Sequence, residues 1–522
     1  MNFCHKILFR VLLSVFIFLP SGRSQSVRFS FPKDLEAQEF ARDPMLKNPV
    51  GLSVGFDGTV YVTETQRRKA QNLDIRSNSD WINTELSLQT VASKKAFYKR
   101  TLSRENSDKN KRRVSDHNKD GYHDWRDLMV LSEFVHAIKD RDGDGIADEA
   151  KVFAGDFKTS VSGVAGGVFS WGDDVYVNVA PHVWKLRDTD NDGVSDWRQP
   201  LAYGFANHIA YGGHNTHGVT VGLDGRIYWS IGDTSSDYTP HEGAVFRCEP
   251  DGTKFEVFAR GLRNPQEIVF DDYGNMFTGD NDADFGDRER WYYLVEDGDY
   301  GWRFWWQYQR GRNWAAPDSN YSVWMEEKLW HERFDGQSAY IIPAIKLIDN
   351  GPCGMAAYPG IGMPERFKNS FLLAHFTGSP SNSGIRQYKV DSKGADFDLT
   401  DDSKIISGAV ITGVDFAPDG SGLFFADWSG SWPLNTQGKV FKVSHPQLSA
   451  SDVVMQSRKL LNGGLDSLNP DKLKVFLAHE NRNVRREAQF KLARSGRGGR
   501  KALMDVLESS QSQIARVHAI WG

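Results

Sequence analysis

The chain has 522 residues and a formal net charge of -5, with 39% hydrophobic and 12% aromatic residues, 49 Gly and 16 Trp. That length predicts more than one folded unit, and the composition excludes a disordered chain while predicting tight turns between aromatic-lined strands. So mild a charge excludes the basic footprint of a nucleic-acid binder and a charged membrane-surface patch.

At the N-terminus, Lys6 and Arg10 stand around an apolar run from Ile7 to Leu19, followed by Gly22-Arg23-Ser24. This predicts a secretory signal peptide over 1–24, and hence an exported protein, periplasmic or extracellular. A membrane anchor is the alternative, but it needs about 20 clean apolar residues and Arg10 interrupts the run. No other segment approaches that length, so no membrane span is expected in the mature chain.

A repeated phrase then organises the sequence: an Asp/Gly turn, a short β-branched and aromatic strand, and a polar residue. It reads Phe56-Asp57-Gly58-Thr59-Val60-Tyr61-Val62, Trp171-Gly172-Asp173-Asp174-Val175-Tyr176-Val177, Leu223-Asp224-Gly225-Arg226-Ile227-Tyr228-Trp229 and Asp272-Tyr273-Gly274-Asn275-Met276-Phe277. A degenerate copy runs Asn369-Ser370-Phe371-Leu372-Leu373-Ala374, and a sixth joins Pro418-Asp419-Gly420 to Leu423-Phe424-Phe425-Ala426. Copies at this spacing predict an all-β six-bladed β-propeller over 25–445; a β-sandwich would use the same turn chemistry. Two intervals are too long and predict loop insertions near 67–133 and 302–345. The first is rich in Lys and Arg from Arg67 to Lys111 and is expected to be solvated, and the second, with Trp302, Trp305 and Trp306, to pack over one face.

Three segments alternate carboxylates or amides and then place a glycine at position six. They are Asp116, Asn118, Asp120, Asp124 and Asp127; Asp140, Asp142, Asp144 and Asp148; and Asp188, Asp190, Asp192 and Asp196. Alternate oxygens converge on a hard cation when glycine permits the sharp turn, so the pattern predicts Ca2+. Only the first carries an acid, Asp127, at position twelve, where the others have Lys151 and Gln199. An Asp/Gly hairpin turn without metal would use the same residues.

The densest chemistry follows in His214-Asn215-Thr216-His217-Gly218, Ile231-Gly232-Asp233, Arg263-Asn264-Pro265-Gln266 and Asp299-Tyr300-Gly301-Trp302. A neutral imidazole is a suitable base near pH 7, and an arginine beside it would stabilise developing negative charge. Cys4 falls in the signal region, which leaves Cys248 and Cys353 as candidates for a disulfide in an oxidising compartment. No Cys-x-x-Cys-His segment occurs, so this chain attaches no c-type haem. From about Ser449 the pattern turns helical, with Leu473, Val475, Phe476 and Leu477 followed by Val484, Ala488, Leu492 and Ala493. An α-helical HEAT-like repeat segment is predicted for 446–522, incomplete because the apolar pattern runs on to Trp521.

The order and spacing from His214 to Trp302 resemble the soluble quinoprotein glucose and sorbosone dehydrogenases, over about 49–444. The resemblance implies a propeller in which a histidine takes the proton of a sugar hydroxyl while pyrroloquinoline quinone accepts hydride. It places His214 at the catalytic histidine and Arg263 and Asn264 at the substrate-side pair. Where that family offers two arginines and a lysine to the quinone, this chain has Ile411-Thr412-Gly413 and Phe376-Thr377. The loss counts against the quinone and keeps open a non-catalytic propeller that binds a glycan or a protein. Leu186-Arg187-Asp188-Thr189-Asp190-Asn191-Asp192-Gly193, Asp427-Trp428 and Val517-His518-Ala519-Ile520-Trp521-Gly522 look like a bacterial family of exported membrane-bound-dehydrogenase propellers. That likeness implies HEAT-like repeats, a sugar or polyol substrate, and a c-type cytochrome domain as electron acceptor.

Overall fold

The computed structural model describes residues 28–282, 288–303, 333–334, 342–430 and 433–522. The expectations for 1–24 and for most of 302–345, including Trp305 and Trp306, lie outside the described residues.

Each repeated phrase is the turn between the two innermost strands of one sheet, where Gly58 (φ +83°) and Gly225 (φ +79°) take the left-handed conformation that glycine adopts without strain. Six sheets result, antiparallel except that Gly298–Asp299 adds a parallel fifth strand to blade three, and their innermost strands are Pro49–Val54, Ala165–Trp171, Thr216–Val221, Ile268–Phe270, Gly351–Ala357 and Ile411–Phe416. Neighbouring sheets pack face to face around an axis. The ring closes because the first strand, Glu36–Arg42, completes the last blade by pairing antiparallel with Lys439–Ser444, Glu36 opposite Ser444. The fold is therefore a six-bladed β-propeller, and closure leaves no open sheet edge to solvent at the seam.

Near the axis there is no room for side chains. A Cβ on Gly51 would lie 2.5 Å from the Gly166 carbonyl oxygen, and one on Gly218 would lie 2.3 Å from Glu267 Oε1. Seven residues before the turn glycines Gly58, Gly225, Gly274 and Gly420 stand Gly51, Gly218, Glu267 and Gly413. Blade four alone among these sends a side chain, a carboxyl, into the ring.

The 67–133 insertion is not solvated. It folds around Leu73, Ile75, Trp81, Val91, Phe97, Tyr98, Leu102 and Leu128, all buried, with helix α1 (Val91–Thr101) at its centre. The Lys and Arg residues dominate the composition but sit at its periphery or, like Lys94 and Arg67, inside it on buried carbonyls; composition hid the apolar positions between them.

After the propeller come helices α2 (Asp452–Lys459), α3 (Arg482–Arg494), α4 (Gly496–Ser509) and α5 (Gln513–Trp521). The apolar faces of α3, α4 and α5 form one cluster with Leu477, including Val484, Ala488, Leu492, Leu503 and Ala519. Helix α3 lies across the mouth of the propeller: Gln489 Nε2 donates to the Leu223 carbonyl (2.6 Å), Asn483 Nδ2 to that of Pro418 (3.0 Å), and Trp171 Nε1 to Glu487 Oε1 (2.9 Å). None of the described helices is long and apolar enough to cross a membrane.

Candidate functional site

At the opposite end of the axis the inner strands and the loops above them enclose a cavity of about 520 Å³. His214 and His217 reach it from blade three, Glu267 from blade four, Cys353 from blade five and Thr412 from blade six. Arg68 enters it from the insertion.

His214 ends a loop that runs from Gly204 to the inner strand of blade three. Its Nδ1 lies 3.1 Å from Asp233 Oδ2, and Asp233 is fully buried. Gly232 brings that aspartate in close, since a Cβ there would lie 2.3 Å from Asn264 Oδ1. A carboxylate on Nδ1 fixes the ring and its tautomer with the proton on Nδ1. The other nitrogen, Nε2, then carries the lone pair, and among the described residues nothing hydrogen-bonds to it.

Behind His214 the wall is rigid. Arg263 Nε is 3.8 Å from the same Asp233 oxygen, and the guanidinium lies between the rings of Tyr211 (5.3 Å) and Trp302 (5.6 Å). Asp280 accepts the backbone N–H groups of Arg263 (3.1 Å) and Asn264 (2.6 Å), and burial holds its carboxyl above the usual range. Asn264 in turn donates to Asn281 Oδ1 (2.7 Å), while its own Oδ1 meets His217 Nε2 at 3.0 Å. Burial lowers His217 to about 3, so that imidazole is neutral at any ordinary pH.

The structure thus brings His214, Arg263 and Asn264 together. Arg263 and Asn264 are buried behind His214, where Arg263 stands beside Asp233 and Asn264 beside His217. The groups that line the cavity with His214 and that sequence reasoning missed are Arg68, Glu267 and Glu289. Burial lowers Arg68 to about 10. Burial also raises Glu267 to about 8, helped by Asp415, and Glu289 to about 8, helped by Asp282. Glu267 was legible as the one carboxyl among repeated glycines. Arg68 was not, because its run reads as a solvated surface.

The acidic loops lie away from this cavity. Asp140, Asp142 and Asp148, and likewise Asp188, Asp190 and Asp192, bring ligand oxygens within 4.8 Å of one another. Both groups sit on hairpins before the outermost strands of blades one and two, Glu149–Phe157 and Trp197–Tyr203. Asp144 instead accepts Ile146 N–H (2.8 Å), and Asp196 that of Thr189 (2.8 Å). In the 116–127 loop, which carries the acid at position twelve, Asp127 accepts the N–H groups of His117 (2.8 Å) and Asn118 (3.1 Å) through Oδ1 and that of Asp124 (2.9 Å) through Oδ2. Asp124 caps the next turn and pairs with Arg126 (2.6 Å), while Asp116, Asn118 and Asp120 accept backbone N–H groups within their turn. Cys248 and Cys353 are free thiols on blades three and five and do not pair.

Residues 23–418 match the family described as "Domain of unknown function (DUF7133)", and the chain belongs to that family. No curated protein matches the sequence. Among solved structures, the chain is similar to the holo form of the pyranose dehydrogenase PQQ domain from Coprinopsis cinerea, at 11% identity and a TM-score of 0.48 over 81% of this chain and 99% of that one. It is similar to the PQQ-bound form of the aldose sugar dehydrogenase from Streptomyces coelicolor, at 13% identity and a TM-score of 0.44 over 80% of this chain and 100% of that one. A calcium structure of a Trichoderma reesei carbohydrate-active enzyme of family AA12 aligns at 11% identity and a TM-score of 0.42, over 81% of this chain and 99% of that one.

Proposed function

We propose that this member of the DUF7133 family is an oxidoreductase-type propeller that takes a small sugar or polyol into its axial cavity, with His214 as general base. The observation that carries the reading is the His214–Asp233 pair at the wall of a 520 Å³ cavity. A base held by a buried carboxylate has its tautomer fixed before substrate arrives, the arrangement that proton abstraction from a hydroxyl requires. His214 Nε2 takes the hydroxyl proton, Asp233 balances the imidazolium, and the C–H bond gives its hydride to a two-electron acceptor.

The described lining does not fit pyrroloquinoline quinone as that acceptor. Its three carboxylates need cations, and the wall offers Arg68 against the carboxyls of Glu267 and Glu289, with Thr412, Phe376 and Thr377 where the quinoprotein resemblance implies Arg and Lys. No step is therefore routed through the quinone. The same shortage of cations in the wall favours a second reading, a non-catalytic propeller that binds a glycan. On the first reading the protein is exported, Ca2+ staples the hairpins at 140–148 and 188–196, α3–α5 are HEAT-like repeats, and a c-type cytochrome receives the electrons.

The test is calorimetric titration with a panel of aldoses and polyols, then dye reduction with and without added quinone and Ca2+, on the wild type and His214→Ala. Dye reduction lost in His214→Ala supports the dehydrogenase. Binding without dye reduction supports the glycan-binding propeller, and neither signal with any sugar or polyol refutes both.

A further inference from the structure

The His214 loop cannot hold its own shape. Between Gly204 and Thr216 it makes two isolated strand-like bridges, Phe205 with Ser236 and Ala210 with Asp74 of the insertion, and it contains Ala206 at φ +57°, Gly212 at φ +72° and Gly213 at φ +107°. An alanine in the left-handed region costs of order 1 kcal/mol and persists only where surrounding structure imposes it.

The surrounding structure has two parts: blade three accepts the N–H groups of Ala206 (Ser235 carbonyl, 2.8 Å) and His208 (Thr234 carbonyl, 2.9 Å), and the 67–133 insertion meets the loop from Ala206 to Gly212. Lys94 Nζ donates to the carbonyls of Ala206 (3.0 Å) and His208 (2.8 Å). Glu85 accepts the Ile209 N–H through Oε1 (3.0 Å), and its backbone carbonyl meets His208 Nδ1 (3.0 Å). Ile75 N–H donates to the Ala210 carbonyl (3.0 Å), and Arg68 to that of Gly212 (3.4 Å). The Arg76 guanidinium, held by Asp74, lies 4.9 Å from the Tyr211 ring centre, and that ring stands 5.6 Å from the His214 ring. Ile209 and Tyr211 are also part of the insertion's own apolar core.

Resting on the reading of His214 as base, we propose that the insertion is a mould for the His214 loop and that Lys94, deep inside it, is the positioning residue that sets where His214 stands relative to Asp233. Lys94 is 2% exposed, and an ammonium so placed is heavily disfavoured unless it is fully hydrogen-bonded. Two of its three protons go to carbonyls two residues apart in this one loop, those of Ala206 and His208. A lysine needed only to stabilise the insertion would bond within the insertion. Burial lowers it to about 8, with Glu85 opposing the shift.

The experiment uses the full chain and needs no substrate, so it fails independently of the proposed activity. Lys94→Met keeps the stem and removes the donors. Hydrogen–deuterium exchange of peptides covering 205–214 and carbethoxylation of His214 by diethylpyrocarbonate, read by mass spectrometry against His445 as internal reference, are compared with the wild type. The expected result is at least tenfold faster exchange in 205–214 with the strands Thr216–Val221 and Ile227–Ile231 unchanged, at least a threefold change in the His214 rate, and recovery of both in Lys94→Arg. Lys99→Met, which removes a cation 5.1 Å from the Trp125 ring in the same insertion, should alter neither. If Lys94→Met does not fold, Arg76→Met, at a side chain 36% exposed, decides by the same two readouts with smaller changes in the same direction. Unchanged exchange and unchanged His214 reactivity in a folded variant overturn the proposal, as does an equal response to Lys99→Met.

Discussion

Glu267→Gln should raise the thermal stability of the protein at pH 8.5 and leave it almost unchanged at pH 5. Glu267 is the carboxyl that projects into the ring of axial glycines, and burial raises it from 4.5 to about 8. A group whose folded pKa lies above its unfolded one binds an extra proton in the folded state, so its stabilising contribution is complete below about 4.5 and is lost as pH rises through about 8. At about 1.4 kcal/mol per pH unit, the handicap accumulated between pH 5 and 8.5 has an upper limit of about 4 kcal/mol. The carboxyl is half-buried and faces a channel, so solvent screening reduces this to roughly 2 kcal/mol. For a chain of this size the unfolding entropy is about 1 kcal/mol per degree, which makes the expected gain in Tm about 2 °C at pH 8.5. Differential scanning calorimetry of both proteins at pH 5, 6.5 and 8.5 measures it. The raised carboxyls Glu289 and Glu133 are common to both proteins and cancel, while Asp415, whose charge helps raise Glu267, is relieved of that repulsion in the variant, which adds to the gain at pH 8.5. An offset of the same size at all three pH values would refute the reasoning.

Asp233→Asn should lower any dye reduction by about 10²–10⁴-fold with little change in sugar affinity, because it releases the tautomer of His214 without touching the cavity wall; steady-state kinetics with separate kcat and KM checks it. Gly166→Ala puts a Cβ 2.0 Å from the Thr216 carbonyl oxygen, so the inner strands of two blades must separate; overpacking of this kind costs about 1–3 kcal/mol or more, readable as a lower urea midpoint. Chelation should lower Tm by about 3 °C relative to Ca2+ at a hundred times its Kd, where binding is worth about 2.7 kcal/mol, and Asp188→Asn with Asp190→Asn should remove part of that response, since both belong to one converging group. An identical Tm in chelator and in Ca2+ would show that these hairpins hold no calcium.

Much of the propeller was legible because its signal is repeated. The turn glycines Gly58, Gly225, Gly274 and Gly420 each need a left-handed conformation, and local demands of that kind survive translation into sequence. His214 and Asp233 were legible as neighbours in one cluster, but their pairing depends on how the Gly204–Asn215 loop folds back. That loop is shaped from outside by Lys94, Glu85 and Ile75, which lie more than a hundred residues away. No local pattern encodes such a contact. For Arg263, spacing placed it near His214, but its packing against the rings of Tyr211 and Trp302 was not legible. The loop with the complete calcium pattern likewise turned its twelfth-position acid, Asp127, onto its own backbone N–H groups.

The two ends of the propeller axis are chemically unlike, and that asymmetry gives the cavity a direction. At the lower mouth α3 lays Arg482, Asn483 and Arg486 against the strand ends, leaving a space of about 130 Å³ that Glu267 and Asp415 also line. Burial raises Asp415 to about 7 and lowers Arg486 from its usual value, with each drawing the other back toward its charged form. The lower space, about 130 Å³ against about 520 Å³, is the smaller of the two, and Glu267 lines both. Arg68, from the same insertion that shapes the His214 loop, lines the upper cavity, so substitutions along 67–133 should alter sugar binding and His214 reactivity together, whereas substitutions in α3 should alter stability alone.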